Sequence, residues 1–299
     1  MTTNPHPYRG YSRLSLALAV LLGASLALHA LVASIRHPVG PRFGSSIHGE
    51  TTGIEGDSLR VAVWNIRRGK GLDGKRDLGR IAEGLADFDI IGLNEVGSGQ
   101  ARALGEQLGM GWQYTPSQRR WYRDYFGNAF LSRLAPVSWQ SQPLVYDQDK
   151  GTGHRHLQIV HYRWNDLLFG MIILHAERGP VRDKQIRIAV DAFRRFDYGV
   201  LMGDFNADAS HPTIASLLDN PNVTSAIDDD PAQIDWLFIR GFDLDAAGMV
   251  PPGASDHPLI WAELSPLTAQ ETPEGSPQSQ PAPGQLHRIA STPARTYGP

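Results

Sequence analysis

The chain has 299 residues, a hydrophobic fraction of 41% and a formal net charge of −3, the composition of a globular protein and not of a disordered or fibrous one. This charge excludes a histone-like mode of nucleic-acid binding. Because the chain has no cysteine, disulfide scaffolds, zinc–thiolate and iron–sulfur sites and a cysteine nucleophile are also excluded.

An apolar segment lies near the amino terminus, at residues 14–35, between Arg13 and Arg36. As a helix with a rise of ~1.5 Å per residue, it would reach ~33 Å, enough for a hydrocarbon layer of ~30 Å. We predict a single transmembrane anchor after a flank of residues 1–13. A cleaved signal segment is the alternative, although the candidate cleavage sites place leucine where a small residue is expected. An anchor implies a single-pass membrane location, with the catalytic domain on the extracytoplasmic side.

Two further segments have no apolar periodicity. Residues 36–57 contain Pro, Gly, Ser and Thr and are interpreted as a linker. Residues 266–299 are rich in Pro, Gln, Ser and Thr and are predicted to be a disordered tail. One folded domain is therefore expected between them, at residues 58–265.

Strand-like and helix-like segments alternate within this domain. Amphipathic patterns predict helices at residues 77–87, with Asp77 as N-cap, at 100–108 and at 186–196. Strand-like runs occur at residues 59–64, 90–93, 128–132, 157–162, 167–174, 200–202, 234–239 and 259–263. Since several of these runs are close enough to form hairpins, the pattern indicates an α/β protein with mixed sheets.

Polar side chains follow the apolar runs where each run ends. They are Asn65, Asn94-Glu95, His175, Asp204-Phe205-Asn206 and Asp235, with Ser255-Asp256-His257 just before the last run. Singly, each could be a turn residue, a cap or a surface group. Asp235 is harder to explain in this way, because it lies between Ile234 and Trp236 and a buried carboxylate is costly unless it is paired. A histidine is a usual partner.

Together these residues indicate phosphoester chemistry. Carboxylate and amide oxygens are the ligands that Mg²⁺ or Mn²⁺ prefers. Histidines and a further carboxylate can prepare water and stabilise the leaving oxygen. The sequence contains no Gly-x-x-x-x-Gly-Lys loop, no Gly-x-Ser-x-Gly elbow and no His-Glu-x-x-His motif.

Six sequence blocks carry these residues in one order: VAVWNI (61–66), IGLNEV (91–96), GNAFLSR (127–133), GDFNA (203–207), IDW (234–236) and SDHP (255–258). In this order they resemble the endonuclease/exonuclease/phosphatase superfamily, across essentially the whole domain. The resemblance implies a four-layer α-β-β-α sandwich of two mixed sheets, as in deoxyribonuclease I, here preceded by one transmembrane helix. It also implies a divalent-metal-dependent phosphoester hydrolase.

The resemblance assigns roles to eight residues. Asn65, Glu95 and Asp256 would hold or adjoin Mg²⁺, with Mn²⁺ as a possible substitute. Asp204 would align or deprotonate water, and Asn206 would donate to a phosphoryl oxygen. His257, oriented by Asp235, would contact the scissile phosphate, and His175 would lie near the leaving group. The sequence departs from the family at Asn94, where the family commonly has glutamine.

The substrate class stays open between nucleic acid and phospholipid. The run Arg119-Arg120-Trp121-Tyr122-Arg123, and Arg178, Arg182, Lys184 and Arg187, would suit the phosphates and bases of a nucleic acid, although a solvated face explains both groups equally well. The anchor favours a lipid headgroup, with membrane contact through the N-terminal helix. A catalytically inactive binding module is disfavoured, because every acid, amide and histidine of the family site is present. A monomer is assumed by default.

Overall fold

Apolar runs of the central domain form strands, and the amphipathic segments between them form helices. The computed structural model describes residues 9–36, 42–45, 54, 56–120, 123–146, 154–227 and 232–267. The helices of this part are α1 (Arg9–Arg36), α2 (Leu78–Leu85), α3 (Ser98–Leu108), α4 (Arg182–Phe193) and α5 (Pro212–Leu218). Its strands are β1 (Arg42–Ser45), β2 (Leu59–Asn65), β3 (Ile90–Val96), β4 (Gly111–Arg120), β5 (Arg123–Ser132), β6 (Pro136–Pro143), β7 (His156–Trp164), β8 (Leu167–His175), β9 (Gly199–Asp204), β10 (Thr224–Ser225), β11 (Asp235–Arg240), β12 (Phe242–Val250) and β13 (Leu259–Pro266).

These strands form two sheets. One has the order β1-β4-β5-β3-β2-β13-β12, and the other has the order β10-β11-β9-β8-β7-β6. Each sheet contains one parallel pair, β2 with β3 and β8 with β9, among antiparallel neighbours. Both sheets are therefore mixed, as the sequence predicted.

Three apolar layers separate four layers of secondary structure. Val63, Met171, Val200 and Ile260 belong to the layer between the two sheets. A second layer, with Ile81 and Leu104, packs α2 and α3 on the first sheet. The third layer packs α4 and α5 on the second sheet. The predicted α-β-β-α sandwich is confirmed, and burial of these layers provides its main stabilisation.

The sheets approach closely at Gly92 on β3. A Cβ atom there would lie 2.5 Å from Sδ of Met202, which belongs to β9 of the other sheet. Glycine at this position therefore lets the centres of the two sheets meet. The two parallel strand pairs contact each other across this interface, and their carboxyl ends lie at the same end of the sandwich.

Asp77 caps α2 as expected, and its Oδ1 accepts hydrogen bonds from the backbone nitrogens of Gly79 and Arg80 at 2.9 and 3.3 Å. No strand was predicted at β4, β6, β10 or β12, and no helix at α5. Strand β6 is largely exposed at a sheet edge, so it carries no buried apolar pattern. Strand β12 is also an edge strand, and nearly all of its residues are at least partly exposed.

The amino-terminal region differs in part from the prediction. Helix α1 is longer than the predicted anchor at 14–35, and β1 lies within the predicted linker, where it pairs with β4. Within the described parts of the chain, we find no helix whose length and apolar character would let it cross a membrane. The structure therefore gives the predicted anchor no support. Most of the predicted tail, from residue 268, lies outside the described residues.

Candidate active site

Asp204 ends β9 at the centre of the site, and the backbone on either side of it is unusual. Gly203 has a φ of 137°, and a Cβ atom there would collide with the carbonyl of Leu174 on the adjacent strand. Asn206 has a φ of 49°, and its backbone nitrogen donates to Oδ1 of Asp204 at 2.9 Å. Left-handed backbone favours glycine and asparagine. The Gly-Asp-Phe-Asn motif thus turns the chain sharply and fixes the Asp204 carboxylate.

Side chains of the first sheet hold Asp204, which belongs to the second sheet. Nδ2 of Asn65, at the end of β2, donates to its Oδ2 at 3.1 Å. Asn94 on β3 accepts a hydrogen bond from the Asp204 backbone nitrogen at 2.8 Å. Nδ2 of Asn94 also donates to Oδ1 of Asn128 at 2.9 Å. Asn94, where the sequence departs from the family, therefore links the sheets directly beneath Asp204.

Asp235 and His257 form a close pair beside Asp204. Nδ1 of His257 donates to Oδ2 of Asp235 at 2.7 Å, and Nε2 of His257 lies 4.0 Å from Oδ2 of Asp204. Burial by itself lowers the pKa of His257, but the hydrogen bond to Asp235 and the charges of Asp235, Asp204 and Asp256 outweigh it and raise this pKa to about 9. His257 is therefore a cation at neutral pH, and it is the kind of partner that the sequence predicted for the buried Asp235 carboxylate.

The carboxyl group of Asp204 also has a raised pKa. Burial is the main cause, followed by the charge of Asp235, and together they raise the pKa of Asp204 to about 6. The charge of His257 and the hydrogen bonds from Asn206 and Asn65 limit this increase. Asp204 is consequently a stronger base than an ordinary carboxylate, yet it is mostly ionised at neutral pH.

His175 ends β8, opposite Asp204 in the parallel ladder, and its Nε2 lies 3.4 Å from Oδ2 of Asp204. Burial, with the charges of Arg155, His257 and Arg178, lowers the pKa of His175 well below its usual value. The two histidines flanking Asp204 therefore carry different charges at neutral pH. His257 is cationic and His175 is neutral.

Glu95 and Asp256 lie at the same end of the sandwich. Glu95 has a φ of 53° at a register shift between β3 and β5, and such a bulge redirects the side chain. Oγ of Ser255 donates to the backbone carbonyl of Asn65 at 2.6 Å, which fixes the loop that carries Asp256. Asp256 also forms an ion pair with Nη1 of Arg67 at 3.1 Å.

This donor set suits a divalent cation. Burial raises the pKa of Asp235, its bond to His257 opposes this, and the nearby charges of Asp256 and Glu95 raise it further. A cation held by Glu95 and Asp256, with the Asn65 amide, would relieve this crowding of negative charge. Asp204, Asp235 and His257 also bring one ligand-type atom each within 4.8 Å of one another. Because His257 is already hydrogen-bonded to Asp235, we interpret these three as an acid–base group.

Asn206 and two arginines lie on one side of Asp204. Nδ2 of Asn206 donates to the carbonyl of Ala176 at 2.9 Å, and its Oδ1 accepts from Nε of Arg178 at 2.7 Å. Nη1 of Arg182 donates to the Asn206 carbonyl at 2.9 Å. These contacts place two guanidinium groups beside the reaction centre, where they can bind phosphate oxygens.

The structure thus brings all eight predicted site residues to one end of the sandwich. Sequence reasoning missed Asn94 as a structural link, Arg67 as the partner of Asp256, and Arg155, whose Nη1 lies 2.9 Å from Nδ1 of His175. Arg155 directly precedes β7, and pairing β7 with β8 as a hairpin would have placed it near His175. The side chains of the predicted aromatic and basic run at 119–123 lie outside the described residues.

Solved structures share this fold at low sequence identity. A protein from Beutenbergia cavernae titled as an endonuclease/exonuclease/phosphatase is 22% identical, with a TM-score of 0.56 over 70% of this chain and 72% of that one. Its counterpart from Bacteroides vulgatus is 15% identical, with a TM-score of 0.58 over 70% and 99% of the two chains. TDP2 from D. rerio, solved with a single-strand DNA product, is 16% identical, with a TM-score of 0.56 over 70% and 100%. The comparison with curated proteins gives no match.

A family model described as the Endonuclease/Exonuclease/phosphatase family matches residues 62–257. This range contains all eight site residues and, apart from the first three residues of β2, both parallel strand pairs. By this match over more than half of its length, and by the site just described, the chain belongs to the endonuclease/exonuclease/phosphatase family of divalent-metal-dependent phosphoester hydrolases.

Proposed function

We propose that this enzyme is a Mg²⁺-dependent phosphodiesterase that cleaves the backbone of nucleic acid. The observation that carries the proposal is the position of Asp204, which is held by side chains of the opposite sheet and flanked by one cationic and one neutral histidine. Such an arrangement can activate water on one side and stabilise a developing negative charge on the other.

Each side chain has a part in the proposed reaction. Asp204 orients the attacking water and accepts its proton, and Asn65 holds Asp204 in place. His257 donates to the phosphate, and Asp235 keeps it protonated and oriented. Asn206 and His175 contribute donors near the phosphoryl and leaving oxygens. A divalent cation bound by Glu95, Asp256 and Asn65 would neutralise charge on the phosphate oxygens; we propose Mg²⁺, with Mn²⁺ as a substitute.

Charge around the site supports a substrate with several phosphates. Arg178 and Arg182 flank Asn206 on one side, and Arg67 pairs with Asp256 on the other. Guanidinium groups on both sides of a reaction centre could bind the phosphates that neighbour the scissile one. The structural similarity to TDP2, solved with a DNA product, is in keeping with this choice.

A phospholipid headgroup is the second candidate, because two exposed apolar features could contact a membrane. The leucines of α1 are exposed over residues 15–30. Leu72 is 62% exposed in a loop that also contains Lys70, Lys75 and Arg76, and this combination suits an anionic lipid surface. A membrane location with an extracytoplasmic catalytic domain, and a monomeric state, remain predictions for either substrate.

The test measures cleavage by the full chain and its Asp204→Asn variant, on single-stranded DNA and on phospholipid vesicles, with Mg²⁺ or EDTA. We expect Mg²⁺-dependent DNA cleavage, lowered about a hundredfold or more in Asp204→Asn because the general base is lost. Asp208→Asn is the matched control, since this partly exposed carboxylate accepts hydrogen bonds from Ser210 and has no part in the proposed reaction. Turnover of lipid and not of DNA would select the second candidate. Equal activity of parent and Asp204→Asn would contradict the mechanism.

A further inference from the structure

Arg155 makes a contact with His175 that no role assigned so far requires. Nη1 of Arg155 lies 2.9 Å from Nδ1 of His175. Its guanidinium carbon lies 5.1 Å from the ring centroid of Phe126, and the His175 ring lies 6.0 Å from the same ring. The guanidinium is thus held between an aromatic ring of one sheet and a histidine of the other.

This contact determines which ring nitrogen of His175 carries the proton. A guanidinium has five N–H donors and no acceptor, so Nδ1 of His175 must accept through its lone pair. Burial lowers the pKa of Arg155, and the charges of Asp204, Glu95 and Glu177 oppose this change. Because an arginine guanidinium keeps its proton in proteins, Arg155 still donates at neutral pH. The single proton of neutral His175 is therefore on Nε2, which faces Oδ2 of Asp204 at 3.4 Å.

A second proton on His175 would meet an unfavourable environment. It would have to sit on Nδ1, where it would point at the Nη1 hydrogens of Arg155. The other charged groups near His175 are Arg178, His257 and Asp204. Two of these are cations, and the one anion already faces Nε2. His175 is thus confined to one protonation state by a contact on the side away from the reaction centre.

We infer that Arg155 is a positioning residue, which holds His175 as a neutral Nε2–H donor and so leaves His257 as the one acid–base histidine of the site. The kinetic part of this inference rests on the proposed phosphodiesterase function. The protonation state of His175 does not, and it can be measured without substrate.

The test uses the full chain labelled with ¹⁵N-histidine and records the two ring nitrogens of His175, identified by their loss in His175→Asn. We expect the Nε2–H pattern in the parent at about pH 7. In Arg155→Met the Nδ1 resonance should move because its donor is lost, and in Arg155→Lys it should return toward the parent value. Arg163→Met, at an exposed position of β7, is the matched control and should change nothing.

The same variants are compared in the DNA cleavage assay. We expect Arg155→Met to lower kcat by about 10- to 100-fold, with KM nearly unchanged and partial recovery in Arg155→Lys, as for other residues that orient a catalytic group. An Nδ1–H pattern in the parent, or an Nδ1 resonance that does not respond to Arg155→Met, would overturn the inference. A higher KM with unchanged kcat would also overturn it, because Arg155 would then bind substrate directly. If the parent cleaves no DNA, the proposed function fails while the NMR result still decides the role of Arg155.

Discussion

Asp204, Asp235 and His257 show how neighbouring groups divide acid and base roles. The carboxyl group of Asp204 is buried and has a raised pKa, whereas the pKa of His257 is raised by the carboxylates around it. The pKa of Asp204 is about 6 and that of His257 is about 9. At a pH between these two values, Asp204 is ionised while His257 keeps its proton. One base and one acid are thus available together near neutral pH, as hydrolysis requires.

The His257–Asp235 pair should make stability depend on pH in the metal-free protein. The pKa of His257 is raised from 6.5 to about 9, so its contribution is fully present below about pH 6.5 and is lost as pH rises through about 9. We expect His257→Gln to lower the free energy of unfolding by about 1–2 kcal/mol below pH 6.5, after allowing for solvent screening. Urea unfolding in EDTA between pH 6 and 10 measures this.

Asp235→Asn provides the companion variant, because it removes the anion that holds the proton on His257. The difference between parent and His257→Gln should then lose most of its pH dependence when both carry Asp235→Asn. A difference that grew between pH 6.5 and 9 would have the wrong sign for a raised pKa and would contradict the pairing.

Among the elements, β3 and β9 are joined across the sheet interface by Asn94. Its Oδ1 accepts from the Asp204 backbone and its Nδ2 donates to Asn128. We expect Asn94→Ala to lower the free energy of unfolding by about 1–3 kcal/mol, because it leaves buried polar groups without partners. A double-mutant cycle with Asn128→Ala, followed by urea unfolding, should show a coupling of about 0.5–3 kcal/mol. Gln140→Ala on the exposed strand β6 is the control, and purely additive effects of Asn94 and Asn128 would disprove the network.

Two glycines at the sheet interface should respond differently to alanine. In Gly203→Ala the new Cβ would collide with backbone atoms, and the positive φ of this position is unfavourable for alanine. We therefore expect the free energy of unfolding to fall by more than about 3 kcal/mol, or the protein not to fold. In Gly92→Ala the obstacle is the flexible Met202 side chain, and we expect about 1–3 kcal/mol. Thermal unfolding of both variants tests this. Met202→Val should partly offset Gly92→Ala, and similar losses at the two glycines would contradict the distinction.

At the scale of the whole molecule, the site collects negative charge from separate parts of the chain, so metal binding should stabilise the entire fold. At about ten times the dissociation constant, Mg²⁺ should add about 1.4 kcal/mol, which raises Tm by roughly 3–6 °C in a domain of this size. Glu95→Gln should reduce this increase, whereas Asp208→Asn should keep it. Differential scanning calorimetry with EDTA and with Mg²⁺ measures both. If Mg²⁺ raised the Tm of Glu95→Gln as much as that of the parent, Glu95 would not be a metal ligand.

The α/β class with mixed sheets and the positions of the site residues could be predicted from the sequence pattern for a physical reason, whereas the four-layer sandwich was implied by the family resemblance. Buried strands need continuous apolar runs, and a polar residue can follow only where the strand leaves the core, as at Asn65, His175 and Asp204. Edge strands such as β6 and β12 are exempt from this rule because they are partly exposed, and they were missed. The roles of the eight residues in catalysis stay predictions until the variants are measured.

The sequence by itself determined the α/β class and the mixed sheets, because burial periodicity is a local property. Its ordered blocks also indicated which acids, amides and histidines would lie together at one end of the sandwich. Only the tertiary structure decided how these residues pair. The contacts of Asn94 with Asp204, of Arg67 with Asp256 and of Arg155 with His175 join residues far apart in the chain. They depend on sheet register and on the separation of the two sheets, which no local pattern encodes. The different charges of His175 and His257 follow from the burial of His175 and from the neighbours of each ring, Arg155 for His175 and Asp235 for His257, and not from the identity of the side chain.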